Sequence, residues 1–149
     1  MGTIVEDIRG AADYIAKALQ SSGYKADFSP SSLWEIDRFF DEHSRDGTVI
    51  AGGLLSEQLG QRLFGLGSYV GEVVRRAKGG CWSAVDNKAE AEINAQLQVG
   101  DQICWPVQRV MKRFKNGPED GIAAYGLGLG LDVGARPALR HRKPWWKVW

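Results

Sequence analysis

The chain has 149 residues, of which 44% are hydrophobic and 25% are charged, the length and composition of one globular domain. This composition excludes a disordered, collagen-like or disulfide-rich chain, and no uncharged stretch approaches the roughly 20 residues of a membrane-spanning helix. The first residues show no secretory signal, so we expect a cytoplasmic protein.

The net charge of +1 hides an uneven distribution of charge along the chain. Residues 134–149 carry five of the 19 basic side chains and no acidic one, which leaves 14 basic against 18 acidic residues elsewhere, a net charge of −4. We therefore predict a single domain over residues 1–133 and a basic tail over residues 134–149. The acidic balance of the body argues against nucleic acid as its partner.

Apolar residues spaced three and four apart predict helices in the first half of the chain. The first helix is predicted over residues 4–21. The second begins at Ser29 and Pro30, which suit a helix N-terminus, and ends near Ser44. The same spacing continues over residues 47–80 and predicts one long third helix.

Glycines recur along this predicted third helix at Gly53, Gly60, Gly67 and Gly71. Glycine in a helix interior costs about 1 kcal/mol relative to alanine, so several glycines on one stripe require a compensating gain. We predict that neighbouring elements approach the helix backbone closely at this stripe. A break or kink at Gly65 or Gly67 is the alternative interpretation.

The pattern changes from helical spacing to alternation in the second half. Three short antiparallel strands are predicted over residues 81–85, 93–99 and 103–105. Helical spacing returns over residues 106–116 and 118–129. The predicted fold class is therefore α+β, with a central glycine-rich helix and flanking helices packed on a small three-stranded antiparallel sheet.

The sequence contains no recognisable catalytic or metal-binding set. Cys81 and Cys104 have no partners at a zinc-binding spacing, so we predict free, buried and inert thiols on neighbouring strands. The glycines of residues 65–71 lack the strand-to-helix turn that a dinucleotide site needs. His43 is predicted to stabilise the end of the second helix. We therefore expect neither a metal nor a cofactor.

One polar cluster lies near the end of the third helix and comprises Tyr69, Glu72, Arg75 and Arg76. Glu72 precedes the two arginines by three and four residues, which favours an exposed ion pair worth about 0.3 to 0.5 kcal/mol. If Glu72 is instead buried, it needs hydrogen-bonding partners and becomes a candidate for a binding site that includes Trp82.

A second basic surface is predicted on the fourth helix, where the exposed face would carry Arg109, Lys112, Arg113 and Lys115. A groove between the third and fourth helices would then suit an anionic partner. We therefore include Arg109 and Arg113 among the candidate binding residues.

The C-terminal tail has the most distinctive local composition, because tryptophans alternate with cations. This suits contact with another protein, or a strap that covers apolar surface of its own domain. Contact with a membrane surface or nucleic acid is a less favoured interpretation. The candidate partner-binding residues of the tail are Arg140, Arg142, Trp145, Trp146 and Trp149.

Three segments resemble a family of small uncharacterised bacterial proteins, a domain of unknown function. They are residues 32–39, residues 66–82 with Leu-Gly-x-Tyr-Val-Gly-Glu-Val followed by Gly-Gly-x-Trp, and residues 106–120. The resemblance spans about residues 28–126 and leaves out the tail. It implies a bacterial cytoplasmic domain without an established activity or catalytic residues, and some relatives look like accessory or toxin-neutralising proteins.

These observations together predict a non-enzymatic bacterial protein-binding module of an immunity-like or accessory kind. Its expected partner is another protein, such as a toxin. The alternative is a small enzyme or ligand-binding domain with a site around Tyr69, Glu72, Arg75 and Trp82.

Overall fold

A computed structural model describes residues 4–83 and 93–137 of the chain. Within these residues, helices and two small antiparallel sheets form an α+β fold, which confirms the predicted fold class. The part of the predicted tail from residue 138 onwards lies outside the described residues, and with it the candidate residues Arg140, Arg142, Trp145, Trp146 and Trp149.

Helices make up most of the described chain. They are α1 (Ile4–Ser21), α2 (Leu33–His43), α3 (Leu59–Lys78), α4 (Pro106–Asn116) and α5 (Ile122–Gly128). Short 3-10 turns precede α2 and α5. No helix in the described ranges is both long enough and apolar enough to cross a membrane.

The strands form a small hairpin and a three-stranded sheet. The hairpin pairs β1 (Ser44–Arg45) with β2 (Thr48–Val49). The sheet contains β3 (Cys81–Ser83), β4 (Gln96–Val99) and β5 (Gln102–Cys104). Its strands run antiparallel in the order β3-β4-β5, which confirms the three predicted strands. β4 is shorter than predicted, β5 begins and ends one residue earlier, and residues 84–85 of the first predicted strand lie outside the described residues.

The prediction for the third helix is wrong in its first part, because α3 begins only at Leu59. The β1–β2 hairpin and a series of turns precede it. Gly47, Gly52 and Gln58 have φ values of 84°, 77° and 53°, in the left-handed region that a right-handed helix does not contain. Leu55 is nevertheless fully buried. Its place in the apolar pattern therefore reflects burial within a segment of turns and not a helix.

Helix α3 packs closely against its neighbours at two of the predicted glycines. A β-carbon added to Gly67 would lie 2.5 Å from the Cα atom of Val107 in α4. A β-carbon added to Gly71 would overlap the indole ring of Trp82 in β3. The prediction of close approach is therefore confirmed at Gly67 and Gly71.

The other glycines of the predicted stripe have different surroundings. Gly53 lies in the turns before α3, and Gly60 has no atom within 4 Å of the position of an added β-carbon. Because α3 runs as one helix through Gly65 and Gly67, the alternative of a helix break there is wrong.

Asp37 of α2 connects three helices. One of its carboxylate oxygens accepts hydrogen bonds from Nε of Arg113 at 3.0 Å and from the backbone N–H of Ile122 at 2.8 Å. The other accepts from the backbone N–H of Ala123 at 2.9 Å. Since Gly121 at the start of α5 has no side chain to cap the helix, Asp37 supplies the cap from α2.

The two cysteines are free thiols in different environments. Cys104 is buried, whereas Cys81 is exposed, because alternation along β3 gives the inward position to Trp82. Strands β3 and β5 lie on opposite sides of β4. The prediction that both thiols are buried is therefore wrong, and so is the prediction that they lie on neighbouring strands.

Gly67→Ala is expected to lower the free energy of unfolding by about 1–3 kcal/mol, because the new methyl group would overlap the backbone of α4. Urea unfolding followed by circular dichroism measures the change. Gly60→Ala in the same helix is the matched control, and it should be neutral or stabilising by up to about 1 kcal/mol. Equal unfolding midpoints for the two variants would contradict close packing at Gly67.

Candidate functional site

Glu72 of α3 is a buried carboxylate with 2% of its surface exposed. Arg75 donates to its two oxygens, from Nε at 2.5 Å and from Nη2 at 2.9 Å. The indole N–H of Trp82 donates to one of the same oxygens at 2.9 Å. The predicted pairing with Arg75 is confirmed, but the prediction that Glu72 is exposed is wrong.

Glycines on both sides of Glu72 create this arrangement. Gly71 leaves room for the indole of Trp82 against the helix. Gly79 and Gly80, with φ values of 78° and 131°, then turn the chain out of α3 and into β3. A β-carbon on Gly80 would also lie 2.7 Å from the carbonyl oxygen of Gln98. The Gly-Glu and Gly-Gly-x-Trp segments thus form one packed unit.

The charge of Glu72 is stabilised within this unit. Burial alone would raise the pKa of the Glu72 carboxyl, but the hydrogen bonds from Arg75 and Trp82 and the charges of Arg75 and Arg76 outweigh it. The pKa is therefore held below its ordinary value of 4.5. Glu72 is ionised at neutral pH, and its partners within the chain occupy both oxygens.

Tyr69 is fully buried and anchors a different part of the chain. Its hydroxyl oxygen accepts a hydrogen bond from the backbone N–H of Phe28 at 3.0 Å and lies 2.7 Å from the hydroxyl of Ser32. The exposed Arg76 places its guanidinium 3.7 Å from the centre of the Phe28 ring. The hydroxyl of Tyr69 thus holds the connection between α1 and α2, whereas Glu72 holds β3.

Arg113 does not belong to an exposed face of α4. It is 3% exposed and forms ion pairs with Asp37 at 3.0 Å and Asp41 at 2.7 Å, both on α2. Arg109 reaches towards Tyr125 of α5. The predicted exposed face is therefore wrong for Arg113, and the predicted groove is not formed with α3, because the two arginines turn to α2 and α5.

A depression of about 220 Å³ lies between β5, α4 and α5. Residues of mixed chemistry line it, including Ile103, Trp105, Arg109, Lys112, Tyr125 and Leu129. Ile103 and Trp105 expose 46% and 40% of their surface, large fractions for such apolar side chains. The depression therefore combines apolar surface with two cations.

Two lining groups of the depression are already engaged within the chain. The guanidinium of Arg109 lies 4.6 Å from the centre of the Tyr125 ring and 3.5 Å from the carboxylate of Asp120. Burial, together with the hydrogen bond to Cys104, raises the pKa of the Tyr125 hydroxyl. Tyr125 therefore presents a neutral hydroxyl beside Cys104.

The sequence predicts Arg109 as a surface residue, whereas the exposure of Ile103 and Trp105 comes only from the structure. The alternation along β5 contained the signal, because an inward Cys104 places Ile103 and Trp105 on the other side of the strand.

His43, the last residue of α2, links α2 to the turns that precede α3. Its Nδ1 accepts a hydrogen bond from the backbone N–H of Leu54 at 3.1 Å, and its Nε2 lies 3.0 Å from the hydroxyl of Tyr24. The same hydroxyl donates a short hydrogen bond to Glu42. His43 therefore connects the turns before α3 with Tyr24, and its predicted stabilisation of the helix end stays a prediction.

Within residues 4–83 and 93–137, no group of three or more His, Cys, Asp or Glu side chains is placed to hold a metal ion. Comparison of the chain with protein-family models, curated proteins and solved structures finds no match. The resemblance to small bacterial proteins accordingly remains a prediction. The motif that carries it coincides with the packed unit of Gly71, Glu72 and Trp82.

Glu72→Gln is expected to lower the free energy of unfolding at neutral pH by about 1–3 kcal/mol, because glutamine keeps the shape but loses the charge that holds Arg75. The pKa of Glu72 is lowered on folding, so its charge stabilises the fold fully above pH 4.5 and progressively less as the pH falls through the folded value. The difference in the free energy of unfolding between wild type and Glu72→Gln should therefore become smaller at acidic pH. Urea unfolding at a series of pH values measures it.

The control for this experiment is Glu119→Gln, which changes an exposed carboxylate in the turn before α5. It should leave the pH dependence of unfolding unchanged. A difference between wild type and Glu72→Gln that stays constant in acid would show that the charge of Glu72 does not stabilise the fold.

Proposed function

We propose that this chain is a non-enzymatic protein-binding module of an immunity-like or accessory kind that acts in the bacterial cytoplasm. The observation that carries the proposal is the depression between β5, α4 and α5, where exposed Ile103 and Trp105 adjoin the cations of Arg109 and Lys112. Tryptophan and arginine are enriched at the energetic centres of protein interfaces, and Ile103 extends the apolar surface beside them. The partner in this proposal is another protein, such as a toxin.

The dimensions of the depression support a protein partner over a small molecule. Pockets for small ligands usually enclose about 300–1,000 Å³ and bury most of the ligand. The depression is smaller, at about 220 Å³, and its apolar rim faces outward. A rim of this kind contributes more binding free energy when a broad partner surface covers it.

The alternative function, a small enzyme or ligand-binding domain around Tyr69, Glu72, Arg75 and Trp82, has weaker support. Arg75 and Trp82 both donate hydrogen bonds to Glu72, and the hydroxyl of Tyr69 accepts one from the α1–α2 connection. A substrate would have to displace these buried hydrogen bonds, each of which is costly to leave unmade.

Partner capture with matched variants tests the proposed function. Ile103→Ser removes apolar surface at the depression, whereas Tyr14→Ser removes a side chain that is 75% exposed on α1, which does not border the depression. After cross-linking in the source cells, wild type and Tyr14→Ser should retain the same protein. The purified partner should then bind Ile103→Ser about tenfold more weakly in calorimetry.

Circular dichroism shows whether each variant is folded. Binding of the purified partner with equal affinity by Ile103→Ser and wild type would contradict the proposal. So would a purified partner that fails to bind the wild-type chain.

The predicted tail residues are tested in the same assay. Serine in place of Trp145, Trp146 and Trp149 removes the three indoles, which lie outside the described residues. If the tail helps to hold the partner, as its composition predicts, this variant should also bind more weakly.

A further inference from the structure

We infer that the partner docks an extended acidic segment along β5, with one of its carboxylates between Arg109 and Lys112. The inference rests on the proposed function and specifies the chemistry of the partner. Three features of the depression carry it: the local balance of charge, the apolar rim and the edge of the sheet.

The charges at the depression favour an anion. Lys112 is exposed and takes part in none of the ion pairs among the described residues. Arg109 reaches Asp120 at only 3.5 Å, and the other carboxylate oxygen of Asp120 accepts a hydrogen bond from Asn116 at 2.7 Å. Arg109 and Lys112 thus line the depression, and no acidic side chain is among the described residues that line it, so a carboxylate from a partner would balance the two cations.

The edge of the sheet favours an extended segment. Gly100, at a φ of 58°, begins a two-residue turn that sets Val99 opposite Gln102. Along an antiparallel ladder, pairs of residues that exchange two backbone hydrogen bonds alternate with pairs that exchange none. Val99 and Gln102 close the two-residue turn and are of the first kind, so the next pair, Gln98 and Ile103, is of the second. The backbone N–H and C=O of Ile103 therefore point away from β4, where a further strand could pair with them.

The apolar rim favours a protein segment over nucleic acid. The half-exposed side chains of Ile103 and Trp105 can cover alternate apolar residues of an added strand. A nucleic acid would instead call for a longer track of cations along its phosphates. The chain outside residues 134–149 carries a net charge of −4, which opposes such binding.

The test uses two short capped peptides and the full chain labelled with nitrogen-15. Glutamate alternates with valine in the first peptide, and glutamine replaces glutamate in the second. The glutamate peptide should bind saturably, shift the amide signal of Ile103 and the indole signal of Trp105, and bind less tightly as salt is added. The glutamine peptide should bind more weakly.

Two lysine variants separate the depression from the general charge of α4. Lys112→Gln should weaken binding of the glutamate peptide about two- to fivefold, the effect of one exposed ion pair. Lys115→Gln removes another exposed lysine of α4 that does not line the depression, and it should leave the affinity unchanged.

Equal affinity for the two peptides, equal losses in the two lysine variants, or tighter binding of a single-stranded oligothymidylate would each overturn the inference. Failure of the peptide to bind, while partner capture still depends on Ile103, would overturn the acidic segment and leave the protein-binding function standing. Failure of partner capture counts against the proposed function itself.

Discussion

The absence of side chains at two points of α3 determines how the rest of the fold packs. At Gly67 the backbone of α4 lies 2.5 Å from the position of an added β-carbon, and at Gly71 the ring of Trp82 lies closer still to that position. Each glycine destabilises the helix by about 1 kcal/mol relative to alanine, so the contacts made there must stabilise the fold by more than this amount. Dispersion attraction falls steeply with distance, which is why close approach can supply the difference.

The burial of Glu72 follows from the packing at Gly71. An indole that lies against α3 brings its N–H to the carboxylate one residue further on, and Arg75 closes the other side. A buried charge is tolerated when hydrogen bonds and an opposite charge satisfy it. Within the polar cluster, Glu72 is therefore engaged by Arg75 and Trp82, and these contacts hold β3 against α3.

Local periodicity predicted the elements well where one face of a helix is buried, as in α1, whose bounds match the predicted residues 4–21. It failed before α3, because the buried Leu55 has helical spacing in a segment of turns. It also failed for the buried charges. The partners of Arg113 lie 76 and 72 residues away in sequence, at Asp37 and Asp41, and no local pattern records such pairs.

The spacing of residues along α4 explains why the candidate interface lies at the start of this helix. Trp105 directly precedes α4, Arg109 comes four residues after Trp105, and Lys112 comes three residues after Arg109. Residues at these spacings share one side of a helix, and Ile103 joins them from the adjoining strand. Arg113 comes one residue later and turns to α2, where its ion pairs fix the helix. The buried charges thus hold α4 in place, and the stripe beside them lines the depression.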